Sequence, residues 1–290
     1  MISKIVGYFP DYRLNYKDQI QYDKLTHIML FSLQPDPANL GNFALLPPDV
    51  LQGWQELVTK AHQFQVKVGI TLGGWGKSAG FSEIATQEQL RQKFVQNIVN
   101  FVNTYQLDGV DMDWEYPSIN EKDNFKALMQ AFSDQLRSQG KFLSMAGAAY
   151  GDNAQAKAES AALADFVNIM AYDGLDHGTM QQAEAALNYW LQYIPPEKAI
   201  LGVPFYGRKG NDAKTYQELL EAGASPEQDE YQGYRYNGIP TIKRKTKYAK
   251  QKGGGIMIWE IAQDAEGENS LLNAIRTKYS EAATRGNLEL

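Results

Sequence analysis

Short runs rich in β-branched and aromatic residues alternate along this chain with longer stretches whose apolar residues recur every three or four positions. The short runs cover 5–9, 27–31, 66–72, 109–113, 142–146, 166–170, 199–205 and 255–259, and each has the length and composition of a buried strand. The clearest helical stretch is 49–64, where Val50, Trp54, Leu57, Val58 and Ala61 fall on one face. Another is 87–105, with Leu90, Phe94, Ile98, Phe101 and Val102. A third, 121–137, carries Phe125, Leu128, Met129 and Phe132, and 180–193 and 271–278 complete the clearer cases. Eight strands alternating with helices predict a parallel α/β sheet. At 290 residues, a closed (β/α)8 TIM barrel, which needs roughly 250, fits better than an open doubly wound sheet. The whole chain, 1–290, reads as one barrel domain.

Two segments break the alternation. Residues 34–48 form a loop containing Pro and Asn after the second strand. Residues 208–254, between strands seven and eight, are too many for one simple helical connection. A helix at 215–221, a Tyr-rich piece at 231–236 and a second helix at 241–251 are expected there. Excess chain at such a position lies over the face of a barrel that carries the active site.

Composition narrows the chemistry. A net charge of -6 and a pI near 5.2 argue against nucleic acid and anionic membranes as partners. The one basic cluster, Lys243, Arg244, Lys245 and Lys247, reads as a solvated helix face. Without cysteine there are no disulfides, thiolate metal sites or thiol nucleophiles. His27, His62 and His177 lie too far apart for a histidine metal site, so neither metal nor cofactor is expected. Residues 1–4 lack an apolar core of signal-peptide length, and no apolar run is long enough to span a bilayer. A soluble monomer is expected. The compartment stays open, secreted or periplasmic if a leader has been removed.

The fourth strand carries the chemistry. Side chains alternate across a strand, so Asp111, Asp113 and Glu115 share one face, while Val110, Met112 and Trp114 share the other. In a barrel the carboxyls point inward and the apolar residues meet the helices. A solvated edge strand fits poorly with such apolar flanks. Three carboxyls in a confined site cannot all ionise cheaply, so at least one proton is retained. A general acid working at neutral pH requires just that. Glu115 falls near the carboxyl end, before Tyr116-Pro117, where barrel enzymes place their catalytic groups.

The pattern Asp108-x-x-Asp111-x-Asp113-x-Glu115 closely resembles the signature of glycoside hydrolase family 18, the chitinase family. Further segments resemble the family in order along the chain: Gly7-Tyr8-Phe9-Pro10, Thr71-Leu72-Gly73-Gly74-Trp75, Met170-Ala171-Tyr172-Asp173, Gly202-Val203-Pro204-Phe205-Tyr206-Gly207-Arg208 and Gly254-Gly255-Ile256-Met257-Ile258-Trp259-Glu260. Thr71 stands where the family usually has Ser, and the hydroxyl is kept. The resemblance implies retaining hydrolysis of β-1,4-linked N-acetylglucosamine polymers, chitin or chitooligosaccharides, with the substrate supplying the nucleophile. It implies that Glu115 is the acid and base, that Asp113 orients the 2-acetamido group, that Asp111 balances the proton on Asp113, and that Tyr172 binds the acetamido oxygen. It places Tyr8, Trp75, Tyr116, Asp173, Tyr206, Arg208 and Trp259 against the sugars, with Trp259 as the floor. Asp108 is expected to order the start of its strand instead. The connection 208–254 looks shorter than the α+β insertion of some family members, which implies an open groove. The resemblance leaves three other readings: a hydrolase of peptidoglycan, one of N-glycan chitobiose cores, or a catalytically silent chitin-binding homologue.

Overall fold

The computed structural model describes residues 3–285. Seven parallel strands come first: β1 (Lys4–Pro10), β2 (His27–Leu33), β3 (Lys67–Gly73), β4 (Gly109–Asp113), β5 (Phe142–Ala148), β6 (Phe166–Met170) and β7 (Ala199–Pro204). Four short strands follow, β8 (Tyr206–Lys209), β9 (Asp212–Thr215), β10 (Glu230–Tyr231) and β11 (Tyr234–Arg235), and then β12 (Gly255–Trp259). Strands β1–β7 and β12 close into a parallel barrel in which β12 pairs with both β7 and β1. These eight are the runs read from the sequence, with ends that differ by two residues at most. The structure is a (β/α)8 barrel.

The helices are α1 (Pro48–Gln63), α2 (Phe81–Thr86), α3 (Glu88–Thr104), α4 (Lys122–Arg137), α5 (Asp152–Ala158), α6 (Met180–Trp190), α7 (Tyr216–Glu221), α8 (Ile239–Lys252) and α9 (Leu271–Arg285). Two of these carry no usable sequence period. The α2 helix has six residues, and α5 is alanine-rich with no polar face to contrast. Between β1 and β2 the chain makes 3-10 turns, Asp11–Gln19 and Tyr22–Lys24.

The alternation on β4 separates two cores. Val110, Met112 and Trp114 join the large apolar layer between sheet and helices. Inside the barrel a smaller cluster holds Val6, Tyr8, Met29, Phe31, Phe142, Phe166, Tyr172, Ile200, Tyr206 and Met257. His27 closes the amino-terminal end of this interior, its ring edge-on to Phe142 and Phe166 at 5.5 and 5.2 Å. Burial pushes its imidazole down to about 3, so it is a neutral plug.

The connection between β7 and β12 contains the two expected helices, as α7 and α8. It also builds a four-stranded antiparallel sheet in the order β10-β11-β8-β9, which the sequence pattern does not announce. Its strands have two to four residues, and Arg235 pairs with the distant Arg208. Such short strands leave no readable alternation. The basic cluster of α8 is not wholly solvated: Lys245 is fully buried. Its Nζ donates to Gly178 O at 2.8 Å and to Asn237 Oδ1 at 2.7 Å, and burial lowers it to about 7. The helix turns this one lysine toward α6 and the barrel, where its partners are carbonyl oxygens.

The β3–β4 seam positions the acidic strand. Thr71 and Gly73 are in register with Asp111 and Asp113, and Gly74 N donates to Asp113 O at 2.7 Å. Gly73 has a φ of 95°, and a Cβ there would lie 2.6 Å from Asp113 O. Both the dihedral and the contact exclude a side chain. The substitution Gly73→Ala is expected to lower stability by about 1–3 kcal/mol. Urea unfolding measures this, and an unchanged midpoint would disprove the close approach.

Candidate active site

Asp111 lies deepest. It is in register with Thr71 on β3 and Ser144 on β5, so the three side chains meet inside the barrel. Its carboxyl accepts from Tyr8 Oη at 2.7 Å, Thr71 Oγ1 at 3.2 Å, Ser144 Oγ at 2.6 Å and Asn168 Nδ2 at 3.2 Å. Burial raises Asp111 above the usual carboxylate range, and these four donors oppose the rise.

Asp113, two residues on, is nearly as buried but almost without donors. Its Oδ1 has no hydrogen-bond partner. Burial first, and then the Glu115 charge, raise it well above the usual range. Glu115 lies just past the end of β4 and is half-buried. Its backbone N–H donates to Ser78 Oγ at 2.9 Å, and Ser78 Oγ donates to Gly74 O at 3.1 Å. The β3 loop thereby fixes where Glu115 leaves the strand. Burial raises the Glu115 carboxyl, while the Lys157 charge and a hydrogen bond from Tyr116 hold it back. Asp113 and Glu115 also share a hydrogen bond, so the two titrate as a pair. With Asp113 raised further than Glu115 and Asp111 held by four donors, the shared proton rests mainly on Asp113.

The other wall comes from the ends of β6 and β7. Asp173 follows β6 with a φ of 65°. Its N–H donates to His177 Nδ1 at 2.9 Å, and the His177 ring reaches Tyr206 O through Nε2 at 3.2 Å. The ring therefore carries its proton on Nε2, and burial lowers it to about 4, which keeps it neutral. Gln182 Nε2 pins Asp173 O at 2.8 Å. The Asp173 carboxylate receives Tyr206 Oη at 2.6 Å and Arg208 Nε. Tyr172 is buried, and its hydroxyl meets only Met257 Sδ at 3.8 Å among the described residues.

These groups surround one pocket of about 690 Å³. Tyr8, Trp75, Asp113, Glu115, Tyr116, Tyr172, Asp173, Tyr206, Arg208 and Trp259 all line it, and Asp111 lies below. Trp259 stands 4.8 Å from the Phe31 ring and 5.5 Å from the Tyr8 ring. Trp75 is 80% exposed at the rim, an apolar plane with no packing role. Asp108 lies at the opposite end of β4, where its Oδ2 accepts from Val68 N at 2.7 Å and pairs with His62 at 2.8 Å. Among the described residues no group of three histidines or carboxylates is arranged to hold a metal ion.

Sequence reasoning did not single out Lys157, His177 or Gln182. Their functions depend on turn geometry and burial, and neither leaves a motif. The one available signal was a lysine within the alanine-rich segment 154–164.

The chain is similar to known proteins over most of its length. It is 27% identical over 282 residues to Chitinase 1 of Aphanocladium album, covering 76% of this chain and 67% of that protein. Other curated relatives are longer, and the match spans as little as 14% of one of them. The crystal structure of the family 18 chitinase ChiB from the chitin utilization locus of Flavobacterium johnsoniae superposes with a TM-score of 0.87 at 31% identity, over 97% of this chain and 94% of that one. The fold is shared as well with the chitinase-like agglutinin of Robinia pseudoacacia, with a TM-score of 0.84 and 23% identity over 94% of this chain and 99% of that one. The family described as Glycosyl hydrolases family 18 matches residues 4–264. With the acidic strand, the two flanking walls and this match in agreement, the chain belongs to glycosyl hydrolases family 18.

Proposed function

We propose that this protein hydrolyses β-1,4-linked N-acetylglucosamine polymers, chitin or its oligomers, with retention of configuration and assistance from the substrate's own acetamido group. The observation that carries this reading is a pair of unsatisfied groups on one pocket. Asp113 Oδ1 is buried without a donor, and the Tyr172 hydroxyl is buried with only a sulfur beside it. Buried polar groups ordinarily find partners. An acetamide supplies both, its N–H for the carboxylate and its carbonyl oxygen for the phenol. The names of the relatives and of the solved neighbour point to the same substrate class.

The reaction divides among residues already placed. Glu115, at the mouth, takes over the proton that it shares with Asp113 and gives it to the glycosidic oxygen as the bond breaks. The acetamido oxygen attacks the anomeric carbon from the other side and closes an oxazolinium ring. Asp113 aligns the acetamide and offsets the positive charge that develops on it. This requires the one proton of the pair to pass from Asp113 to Glu115 as the acetamide binds. Tyr172 stabilises the carbonyl oxygen as the ring forms. Glu115, now a carboxylate, takes a proton from the water that reopens the ring. Trp259 supplies an apolar floor, and Trp75 a plane on which a neighbouring sugar can stack.

The substitution Glu115→Gln is expected to lower turnover of a chromogenic chitotriose glycoside by roughly 10²–10⁴-fold, the usual contribution of a general acid. Full activity in that variant would defeat the assignment, and binding without turnover by the wild type would favour a silent carbohydrate-binding protein. A thiazoline analogue of the oxazolinium ring should inhibit competitively, because it occupies the acetamide position in closed form. Non-competitive behaviour, or none, would remove substrate assistance. The pH dependence of kcat/KM should be bell-shaped, its alkaline limb set by loss of the last proton of the Asp113–Glu115 pair. Since burial raises both groups, that limb is expected well above the ordinary Glu value of about 4.3. A limb at the ordinary value would mean a pair exposed to water.

A further inference from the structure

The mechanism above leaves one buried charge unused. Lys157 sits on α5 with 0% exposure. Lysine is almost never fully buried without a partner. Among the described residues its Nζ meets one hydrogen-bond acceptor, Ala146 O on β5, at 2.8 Å, and no carboxylate lies within ion-pair distance. Instead it stands over two aromatic rings, Tyr116 at 5.5 Å and Phe125 at 5.6 Å. Tyr116 is the residue that follows Glu115 and hydrogen-bonds to it.

The charges that act on Lys157 are those of the acidic strand: Asp113, then Glu115, then Asp111. The elements packed on α5 offer no alternative. Glu121, Lys122, Asp123, Lys126 and Glu159 are none of them buried; Lys122 pairs with Glu159 at 3.1 Å, and Glu121 is held by Ser82 and Ser118. The groups that face the Asp113–Glu115 pair are Asp111, Asp173, the hydroxyls of Tyr8, Tyr116 and Tyr172, and Lys157. Lys157 is the one buried cation in that set. We propose that Lys157 is a positioning residue of the active site: its ammonium, anchored on the Ala146 carbonyl and seated against the Tyr116 ring, holds the Asp113–Glu115 pair in its singly protonated form.

Charge balance supports this. With one proton on the pair, the buried site carries one negative charge there and up to one more on Asp111, whose four donors oppose the rise that burial causes, against one positive. Without the ammonium the pair takes up a second proton at higher pH. Glu115 would remain an acid, but Asp113 could neither accept the acetamide N–H nor offset the charge on the closing ring. The desolvation that lowers Lys157 and the carboxylates that raise it act in opposite directions, so the cation and the pair hold each other in charged form.

The inference rests on Glu115 and Asp113 as the reacting groups, and the test separates the two. In Lys157→Met the acid limb of the kcat/KM profile should move up by about one pH unit, for a loss of about tenfold below the limb and recovery above it. A folded Lys157→Met protein, with an unshifted acid limb and with Glu115→Gln inactive, overturns the role of Lys157 alone. Full activity in Glu115→Gln overturns the assignment beneath it. A measurement on the intact protein decides the matter if Lys157→Met does not fold. The Lys157 13Cε resonance should report an ammonium throughout the active pH range, and its midpoint should fall in Glu115→Gln. A neutral amine at working pH, or a midpoint that ignores Glu115, overturns the proposal.

Discussion

Carboxyl groups dislike the interior of a barrel, and this one takes three from a single strand. Removing an ionised carboxylate from water costs several kcal/mol even after relaxation. Asp111 offsets that cost with four hydrogen bonds, each worth about 1.5–3 kcal/mol when one partner is charged. Asp113 has no such set and keeps a proton. The contrast between two neighbours on one face follows from which strands flank each of them. Thr71 and Ser144 reach the level of Asp111, whereas Gly73 is the β3 residue beside Asp113. Gly73 offers Asp113 no side-chain donor, and its lack of a Cβ lets β3 approach the Asp113 backbone carbonyl.

The remaining walls serve that column. His177 and Gln182 hold the turn after β6 in a left-handed bend, which aims the Asp173 carboxylate at Tyr206 and Arg208. This network pairs the Asp173 carboxylate with Arg208 at the pocket surface, where its charge still adds to the rise of Glu115. The four-stranded sheet that carries Arg208 is small and lends the pocket Arg208 and Ala213, while Trp75 stands exposed at the rim. Most of the pocket lining comes from the ends of the barrel strands, with Arg208 and Ala213 from the 208–254 connection.

Much of this was legible along the chain. Eight apolar runs separated by helical periods give a barrel because each run must be buried on both faces. The two-residue alternation of Asp111, Asp113 and Glu115 puts them on the face opposite Val110, Met112 and Trp114, whatever the surroundings. The short sheet of β8 to β11 was not legible, since strands of two to four residues are specified by their partners more than by their own pattern. Helix α5 was missed because an alanine-rich segment has no amphipathic contrast to read.

By itself, then, the sequence determined the alternating faces, the number of strands and the residue types that meet at their carboxyl ends, because these follow from local periodicity and chain order. Tertiary structure alone decided which charges would be buried. Lys157 and Lys245 look like any surface lysine in the sequence, yet both are sealed from water and bound to backbone carbonyl oxygens. It also decided that Asp111 would have four donors and Asp113 Oδ1 none. Solvation and hydrogen bonding depend on what lies across space, and residues 33 to 103 positions apart have no local pattern that records their meeting.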